Sequence, residues 1–325
     1  MPAWKRRGGF GIVSMAALYL AIMASCATNS PSRQKVTNLQ TWEPRNLEFR
    51  SFYGWNEKAG SWKMEKVRGA GGKSIAIHIF RPPFLKRRKG TVFLHHGYLD
   101  HTALRVPLAM EFVKRGWTVV GVDLPGHGLS SGKRADIDSL DDYAAAFEAA
   151  MDAHYWAKPW RAVGHSTGAA TILLTMQNNG RKFDYVVLEA PLVRTFMWTP
   201  TMWLKDLVEG KIETMSRRSE GTHADEPFFQ LCVKDPFYVA DVPLHWFDAV
   251  ERYYQSTLEW KPIKGRVLIL QGEKDTAVDI KYNISFLRET LPDAEIIDIE
   301  NGRHHLFMDI GSAGDEARAA LFSRW

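Results

Sequence analysis

A serine between two glycines, where a strand is expected to give way to a helix, constrains this chain of 325 residues more than any other feature. Residues 163–168 read Val-Gly-His-Ser-Thr-Gly, after an apolar stretch and before the small, helix-favouring residues 169–176. A Cβ at either glycine would obstruct so tight a turn, and glycine has none. This G-x-S-x-G pattern predicts that Ser166 is a nucleophile held on a sharp strand-to-helix turn.

A serine hydroxyl is a weak nucleophile unless a base takes its proton and a third group orients that base. Residues 266–270 form a strongly apolar strand candidate, and Asp275 follows it. Residues 294–299 alternate like a later strand, and His304 stands in the loop after them. The order Ser166, Asp275, His304 is the order that α/β-hydrolases use, so these residues are predicted to form a catalytic triad.

Each of these positions also has a purely structural interpretation. Ser166 is suited to cap a helix N-terminus, Asp275 to form a turn, and His305 to lie exposed in a loop. The order of the three positions, each at a strand end, favours the triad over three unrelated roles. Two adjacent histidines, His304 and His305, compete for the role of the base.

Two main-chain amides are predicted to bind the oxyanion of a tetrahedral intermediate. One is the amide of Thr167, directly after the nucleophile, and the other is the amide of Tyr98, in the loop after the strand 90–95. His95 and His96 are adjacent and point to opposite faces of a strand, and no cysteine or carboxylate cluster completes a metal site. The sequence therefore predicts no metal ion.

One family resemblance becomes specific in three further loops. Residues 121–132 carry D-x-x-G-H-G-x-S-x-G, which resembles the loop after the fourth strand of monoacylglycerol lipases and lysophospholipase-like hydrolases of the serine aminopeptidase S33 type. Residues 96–101 are similar to the H-G-x-G-E-H loop of that family, with Leu99 and Asp100 in place of glycine and glutamate. Residues 164–168 and 302–305 are similar to its G-H-S-M-G and A-R-H-E segments, which aligns His304 with the catalytic histidine.

This resemblance covers residues from about 70 to 325, except a segment near 192–258. It implies the α/β-hydrolase fold and hydrolysis of esters without a metal or organic cofactor. Independently, strand and helix candidates alternate between residues 75 and 190, which favours a mostly parallel sheet flanked by helices. The expected divisions are a signal peptide at 1–26, a polar tether at 27–45, a first part of the hydrolase core at 46–191, a helical cap at 192–258 and a second part of the core at 259–325.

The segment 192–258 lies where this fold accepts a lid and is rich in Trp, Met and Phe. These side chains either pack the cap on the core or line an apolar tunnel for an acyl chain. Leu244, Phe247, Val250, Tyr254 and Leu258 recur at helical spacing and predict one apolar helix face. The cap acids Glu209, Glu213, Glu220 and Glu226 could instead hold the α-amine of a peptide, as in related aminopeptidases.

The first residues have the pattern of an export signal. A positive segment (Lys5, Arg6, Arg7) precedes the apolar residues 11–23, which are too few for a comfortable membrane span. Ala24-Ser25-Cys26 resembles a bacterial lipobox, which implies diacylation of Cys26 and cleavage before it; the alternative is an ordinary signal peptide cut within residues 24–27. The expectation is a protein anchored at a bacterial membrane, on the periplasmic face of the outer membrane because Ala27 is not aspartate.

The formal net charge is +5, and three of the positive charges precede Cys26 without any acid among them, so the remainder carries +2. No basic stripe with interleaved aromatic residues is present, and nucleic-acid binding is not expected. The basic run 86–89 is expected at a hairpin tip, as a solvated turn or, less favoured, as a contact with anionic lipid. No disulfide is expected, because Cys26 would be lipidated and Cys232 is the other of the two cysteines. Cys232 is expected to be buried.

These observations predict a serine hydrolase that cleaves lipid-like carboxylic esters such as monoacylglycerols or lysophospholipids. An aminopeptidase or amidase that uses the same triad is the alternative, followed by a non-catalytic lipid-binding protein with this fold. The expected partners are the lipid-like substrate and the membrane that holds the anchor; no protein partner is predicted.

Overall fold

The structure, a computed structural model, describes residues 42–217 and 226–325. Its centre is an eight-stranded sheet with the order β1-β2-β4-β3-β5-β6-β9-β10, and a two-stranded sheet, β7-β8, lies apart from it. The strands are β1 Ser61–Arg68, β2 Ser74–Arg81, β3 Thr91–His95, β4 Thr118–Val122, β5 Trp160–His165, β6 Tyr185–Glu189, β7 Thr214–Ser216, β8 Asp241–Pro243, β9 Val267–Gly272 and β10 Glu295–Ile299.

The six neighbouring strands β4, β3, β5, β6, β9 and β10 of the large sheet are parallel. Strand β2 runs antiparallel to both β1 and β4. Every residue of β3, β4, β6 and β9 is buried. Strands covered on both faces read as continuous apolar runs, which is why these segments are recognisable in the sequence. The mostly parallel sheet of an α/β-hydrolase is thus confirmed.

Helices cover both faces of the sheet. On one face α1, α2 and α9 contribute to one apolar cluster, and on the other α3, α4 and α8 contribute to a second. The helices are α1 Leu47–Phe52, α2 Val106–Lys114, α3 Asp141–Asp152, α4 Thr167–Asn179, α5 Trp198–Val208, α6 Glu226–Lys234, α7 His245–Thr257, α8 Ile280–Thr290 and α9 Ser312–Ser323, with 3-10 turns at Glu57–Ala59, Ala70–Gly72 and Thr102–Arg105.

The prediction of a hairpin around residues 86–89 is wrong. In the sheet, β4 lies between β2 and β3, so the segment connects two strands that do not pair with each other. Alternating strand candidates reveal which segments are strands, but the lateral order follows from crossovers that local patterns do not encode. The basic side chains of this connection are exposed.

Between β6 and β9 the chain forms α5, β7, α6, β8 and α7, the region expected to be a cap. Leu244 and Val250 are buried as the helical spacing predicts, but α7 ends at Thr257 and Leu258 is exposed. Cys232, in α6, is buried as expected. The division into domains at 192 and 258 stays a prediction.

The first described residues, 42–45, belong to the segment expected to be a polar tether. Trp42 is buried, with its ring 5.6 Å from that of Phe49 in α1, because an indole gains more from this aromatic cluster than from water. Trp42 is therefore not part of a solvated tether, and residues 27–41 of the expected tether lie outside the described residues. Cys26 lies outside the described residues. Within the described residues, no helix combines the length and apolar character needed to cross a bilayer.

Candidate active site

Ser166 occupies a strained turn between β5 and α4. Its backbone has φ 51° and ψ −114°, a conformation that costs a non-glycine residue free energy and is held by the surrounding structure. The Ser166 amide donates to the carbonyl of Glu189 in β6 at 2.9 Å, and α4 begins at the next residue. The backbone therefore presents the side chain at the carboxyl end of the sheet.

The two glycines of the motif are required by close backbone approach. A Cβ on Gly164 would lie 2.8 Å from the amide nitrogen of Ala169. A Cβ on Gly168 would lie 2.5 Å from the carbonyl oxygen of His96. Real Cβ atoms do not come so close to backbone atoms, so the turn tolerates no larger residue at either position, as the sequence predicted.

Asp275 and His304 are in direct contact. The Oδ2 atom of Asp275 lies 2.8 Å from Nδ1 of His304, in the loops that follow β9 and β10. The two loops also meet through the main chain, since the amide of Lys274 donates to the carbonyl of Gly302 at 2.8 Å. This contact leaves Nε2 of His304 as the ring nitrogen available for proton transfer.

The Asp275 carboxylate is buried and fully engaged. Its Oδ1 accepts from the amide of Ala277 at 2.7 Å, and its Oδ2 accepts from Nε2 of Gln271 at 3.1 Å. Burial by itself raises the pKa of this carboxyl, but the charge of His304 and these hydrogen bonds outweigh burial and hold the pKa below its usual value. Asp275 is consequently ionised at neutral pH and can stabilise a protonated His304.

The structure distinguishes the two adjacent histidines. His304 contacts Asp275, whereas Nδ1 of His305 lies 3.2 Å from Nη2 of Arg105 and its ring is 5.5 Å from that of Phe228. His305 is therefore not the exposed loop histidine of the structural interpretation, because its ring contacts Arg105 and Phe228.

His165, the residue before the nucleophile, connects the turn to the histidine loop. Its Nδ1 accepts from Nη2 of Arg105 at 2.7 Å, so the proton of its ring resides on Nε2. That nitrogen donates to the carbonyl of His304 at 3.0 Å. This contact brings the loop of His304 next to the turn of Ser166. Among the described residues, no hydrogen bond joins Ser166 Oγ to the His304 ring. Catalytic hydrogen bonds of this kind often form only when substrate binds. Ser166 and His304 are 7% and 6% exposed.

The loop that carries Tyr98 passes directly beside the nucleophile. A Cβ on Gly97 would lie 2.5 Å from Nδ1 of His165 and 3.3 Å from Cβ of Ser166, so a larger residue here would displace the His165 ring. Within the described residues, neither the Tyr98 amide nor the Thr167 amide donates to another main-chain group. The Thr167 amide directly follows the nucleophile, and the Tyr98 amide follows Gly97, whose backbone passes beside Ser166. The binding of an oxyanion by these two amides stays a prediction.

A fully buried arginine lies behind these loops, and the sequence analysis did not identify it. Arg105 is 1% exposed. Its Nε donates to Asp100 Oδ2 at 2.7 Å, its Nη1 lies 3.4 Å from Glu189 Oε2, and its Nη2 contacts both His165 and His305. One guanidinium therefore joins residues from the β3 loop, β5, β6 and the histidine loop.

The charges of this cluster compensate one another. Burial opposes the charged form of Arg105, but the carboxylates of Asp100 and Glu189 raise its pKa above the usual value. Burial also raises the pKa of Asp100, yet the arginine and nearby histidines lower it overall. For Glu189 burial prevails and the pKa is raised, while its Oε1 still accepts from the amide of Phe307 at 2.8 Å.

His95 and His96, considered above as metal ligands, have other roles. Nε2 of His96 accepts from the amide of Leu124 at 2.9 Å and Nδ1 lies 2.8 Å from the carbonyl of Gly97, which ties the β3 loop to the β4 loop. The ring of His95 packs 4.5 Å from Phe147, and burial lowers its pKa to about 3.

One group of side chains in the described part of the chain has the spacing of a metal site: Asp100, His165 and His305. The Nη2 atom of Arg105 lies among them, 2.5 Å from Asp100, 2.7 Å from His165 and 3.2 Å from His305. The donor set is already bound to a guanidinium, so these residues fit an arginine and not a metal ion.

The segment between β6 and β9, expected to be a cap, contacts this end of the sheet. The indole of Trp246, in α7, stacks on the ring of Tyr98 with centroids 3.7 Å apart. Phe196 and Trp203 are instead exposed, so the aromatic residues of the cap divide between packing and surface. A cleft of about 350 Å³ between the cap and the Lys133 loop is lined by charged residues, including Lys205, and by none of the predicted catalytic residues.

Comparisons with known proteins place the chain in one family of hydrolases. The model of the serine aminopeptidase S33 family matches residues 86–311. A monoglyceride lipase homolog of Monkeypox virus is 31% identical over 230 residues, which is 67% of this chain and 82% of the relative. A monoacylglycerol lipase of Mycolicibacterium smegmatis is 30% identical over 130 residues, or 38% of this chain, and the match spans only 45% of that enzyme.

Solved structures show the same fold at lower identity. A soluble variant of the monoglyceride lipase of Saccharomyces cerevisiae, in complex with a substrate analog, has a TM-score of 0.68 at 15% identity and covers 83% of this chain and 98% of its own. The monoacylglycerol lipase of Paleococcus ferrophilus has a TM-score of 0.63 at 21% identity, with coverage of 77% and 97%.

Proposed function

This chain belongs to the serine aminopeptidase S33 family of serine hydrolases, and from that membership we propose that it cleaves carboxylic esters of lipid-like substrates through an acyl-enzyme. The observation that carries the proposal is the 2.8 Å contact between Asp275 and His304 beside the strained turn of Ser166. The names of the relatives, monoacylglycerol and monoglyceride lipases, support a glycerol ester of a fatty acid as the substrate class.

In the proposed mechanism, Oγ of Ser166 attacks the ester carbonyl while Nε2 of His304 accepts its proton. Asp275 stabilises the imidazolium and keeps its Nδ1–H oriented. The amides of Thr167 and Tyr98 donate to the oxyanion. When the intermediate collapses, His304 gives its proton to the departing alcohol, and a water molecule then attacks the acyl-enzyme by the same route and releases the fatty acid.

Replacement of Ser166 tests the proposal directly. Ser166→Ala should lower kcat on esters at least about 10⁴-fold, because the remaining groups have no nucleophile to activate. The exposed Ser51→Ala provides the matched control and should keep full activity. Full ester hydrolysis by Ser166→Ala would disprove the proposed nucleophile.

A series of esters of increasing acyl length tests the substrate class. Turnover that rises with acyl length supports an apolar acyl site under the cap, with Trp246 against Tyr98 as part of its boundary. Activity confined to short esters would overturn this part of the proposal.

The aminopeptidase in the family's own name makes amide cleavage the second candidate. It predicts release of amines from aminoacyl amides without any gain from longer acyl chains. Failure of a fluorophosphonate probe to label Ser166 would contradict both enzymes and favour a non-catalytic lipid-binding protein.

We further propose that the chain is exported and anchored by lipid on Cys26. The positive residues before an apolar segment and the Ala-Ser-Cys sequence support this. In cells supplied with a labelled fatty acid, the full chain should incorporate label into the membrane fraction and Cys26→Ser should not. Equal labelling of both would disprove lipidation at this residue, and recovery of the labelled protein with the inner membrane would disprove the outer-membrane location.

A further inference from the structure

The amino-terminal end of the parallel strands gathers the loops that precede β3, β4, β5, β6 and β9. Because these strands run in the same direction, the residues just before them lie along one edge of the sheet. Main-chain hydrogen bonds connect neighbouring segments there: the amide of Lys89 donates to the carbonyl of Gly116 in the next loop, and the amide of Val186, near the start of β6, to the carbonyl of Arg266, directly before β9, both at 3.0 Å. This edge is opposite the catalytic loops.

Exposed positive side chains accumulate on this edge. Those that are exposed and form no ion pair with any described residue come from four successive loops, and we name them the basic edge. They are Lys86, Arg87, Arg88, Lys89, Lys158, Lys182, Lys261, Lys264 and Arg266.

The carboxylates nearby neutralise the basic edge only in part, because three of them are engaged by other cations. Three more, Asp184, Glu259 and Asp293, have no ion pair in the described structure, and the main chain of Trp160 already donates to Asp184 at 2.8 Å. The engaged pairs are Glu111 with Arg115 at 2.5 Å, Asp152 with Arg181 at 2.7 Å and Glu295 with Arg324 at 2.6 Å.

Two large apolar side chains project from the same loop. Phe84 is 92% exposed and Leu85 is 95% exposed, and residues 86–89 follow them directly. An exposed aromatic and aliphatic pair next to four cations costs free energy in water, but it matches the interface of a bilayer, where apolar groups enter the acyl boundary and cations meet the headgroups.

An unsatisfied arginine lies just inside the edge. The guanidinium of Arg161 is 4.6 Å from the ring of Trp117 and 4.8 Å from that of Trp325. Its buried Nε and Nη1 atoms have no hydrogen-bond partner in the described structure. Arg266 adds a second positive charge against the same aromatic group, 4.8 Å from Tyr185. Asp184 is the carboxylate whose charge acts on Arg161, and burial together with Arg266 still holds the pKa of Arg161 below its usual value. Anionic headgroups at this edge would add to that single counter-charge.

We propose that the basic edge, with Phe84 and Leu85, docks the folded body on a bilayer that contains anionic lipid. The strands between this edge and the catalytic loops have five or six residues, which separates bilayer and site by roughly 17–20 Å. Docking therefore leaves the catalytic end free, and the inference does not depend on the proposed ester hydrolysis.

A lipid surface fits these residues better than a nucleic acid does. A strand of nucleic acid is bound by cations in a groove with aromatic rings that stack on bases. Here the apolar pair includes leucine, which offers no stacking surface, and it projects outward beyond the cations. The long stems of lysine and arginine can lie along the acyl boundary while their charges reach the phosphates.

The test is co-sedimentation of the full chain with vesicles of phosphatidylcholine, with and without phosphatidylglycerol. Arg87→Glu with Arg88→Glu should weaken binding to the anionic vesicles about tenfold or more, since each cation near such a surface contributes measurably to attraction. The matched control, Lys234→Glu with Lys281→Glu, changes the net charge equally at exposed positions in α6 and α8 and should bind as the unmodified chain does. All variants share the same N-terminus, so any difference belongs to the edge.

A second pair of variants separates insertion from charge. Phe84→Ser with Leu85→Ser should weaken binding at both low and high salt, whereas the loss in the glutamate variant should be confined to low salt. Hydrolysis of a short water-soluble ester, measured alongside, should be unchanged in every variant and reports that the chain is folded.

Three outcomes would overturn the inference. One is equal loss of binding in the edge variant and the control, and another is equal binding to vesicles with and without phosphatidylglycerol. The third is charge-dependent capture by a DNA duplex at a salt concentration at which no vesicle binds. Ser166→Ala should lose ester hydrolysis and keep vesicle binding, which would show that the proposed catalysis and the proposed docking are independent of each other.

Discussion

The two ends of the parallel sheet differ in how their charged side chains are stabilised. At the carboxyl end, Asp275, Asp100, Arg105 and Glu189 are all buried, and each has a partner within hydrogen-bond distance or close to it. At the amino end, the cations of the basic edge are exposed and have no ion pair to a described residue. A buried charge is stable only when it is paired, whereas an exposed one is stabilised by water.

This difference indicates which end of the sheet has side chains held in place by ion pairs and hydrogen bonds, and which end does not. Each buried charge at the carboxyl end restricts the rotamers of its partners, which limits the arrangements open to the loops of Ser166, Asp275 and His304. The amino end is free to accept counter-charges from outside. Substitutions at the two ends should therefore differ strongly in cost even when they remove the same type of residue.

The largest expected effect is on catalysis at the carboxyl end. Asp275→Asn should lower kcat about 10⁴-fold with little change in KM, because the amide cannot stabilise the imidazolium and favours the wrong tautomer of His304. The exposed Asp298→Asn, on β10, is the control and should retain activity. Steady-state kinetics on a short ester measure both; equal activities would contradict the assignment of Asp275.

Removal of one arginine from each end is the sharpest comparison of stability. Arg105→Met should lower the free energy of unfolding by about 3–5 kcal/mol, because Asp100 and Glu189 remain buried without their partner. Arg87→Met should change it by less than about 0.5 kcal/mol. Urea unfolding measures both.

If Arg105→Met does not fold, Arg105→Lys keeps the charge and should restore a folded chain of intermediate stability. Losses of similar size at positions 105 and 87 would remove the contrast between the two ends.

A smaller effect concerns pH and the contact between core and cap. Nε2 of His101 lies 3.0 Å from Oδ2 of Asp235. Burial alone lowers the pKa of His101, but Asp235 raises it and the net pKa is above the usual value. A raised pKa in the folded state contributes stability that is complete below the unfolded pKa and is lost as the pH rises through the folded pKa.

His101→Gln should therefore destabilise the chain most at acidic pH, and the difference in free energy of unfolding should shrink as the pH rises from about 5.5 to 8.5. Unfolding curves across this range provide the measurement. A difference that grows with pH would show that the histidine is neutral in the folded chain.

The smallest effect is expected at the projecting pair on the amino end. Phe84→Ala with Leu85→Ala should alter the free energy of unfolding by less than about 0.5 kcal/mol per residue, because both side chains are exposed. Phe93→Ala, in the buried β3, should cost about 3–5 kcal/mol. A large loss in the surface variant would indicate that the pair packs against the protein and is not available to a bilayer.

The sequence revealed the parts of the site that local patterns carry. Ser166 stands in a motif whose glycines are required by backbone approach, and Asp275 and His304 each follow an apolar strand. Arg105 carries no such signal: its partner His305 is 200 positions away, and its role exists only after four segments have met. Trp42 was missed for the same reason, since its burial depends on an aromatic cluster that assembles in three dimensions.

Glu189 contacts both the turn that carries the nucleophile and the loop that carries the base. Its carbonyl accepts from the Ser166 amide, and its side chain accepts from the amide of Phe307, in the loop that carries His304. Glu189 thus helps to set the separation of nucleophile and base, together with the contact between His165 and the His304 carbonyl. Displacements of the two loops should be correlated, and a one-methylene change, Glu189→Asp, would act as an adjustment of catalytic spacing and not as the loss of a group.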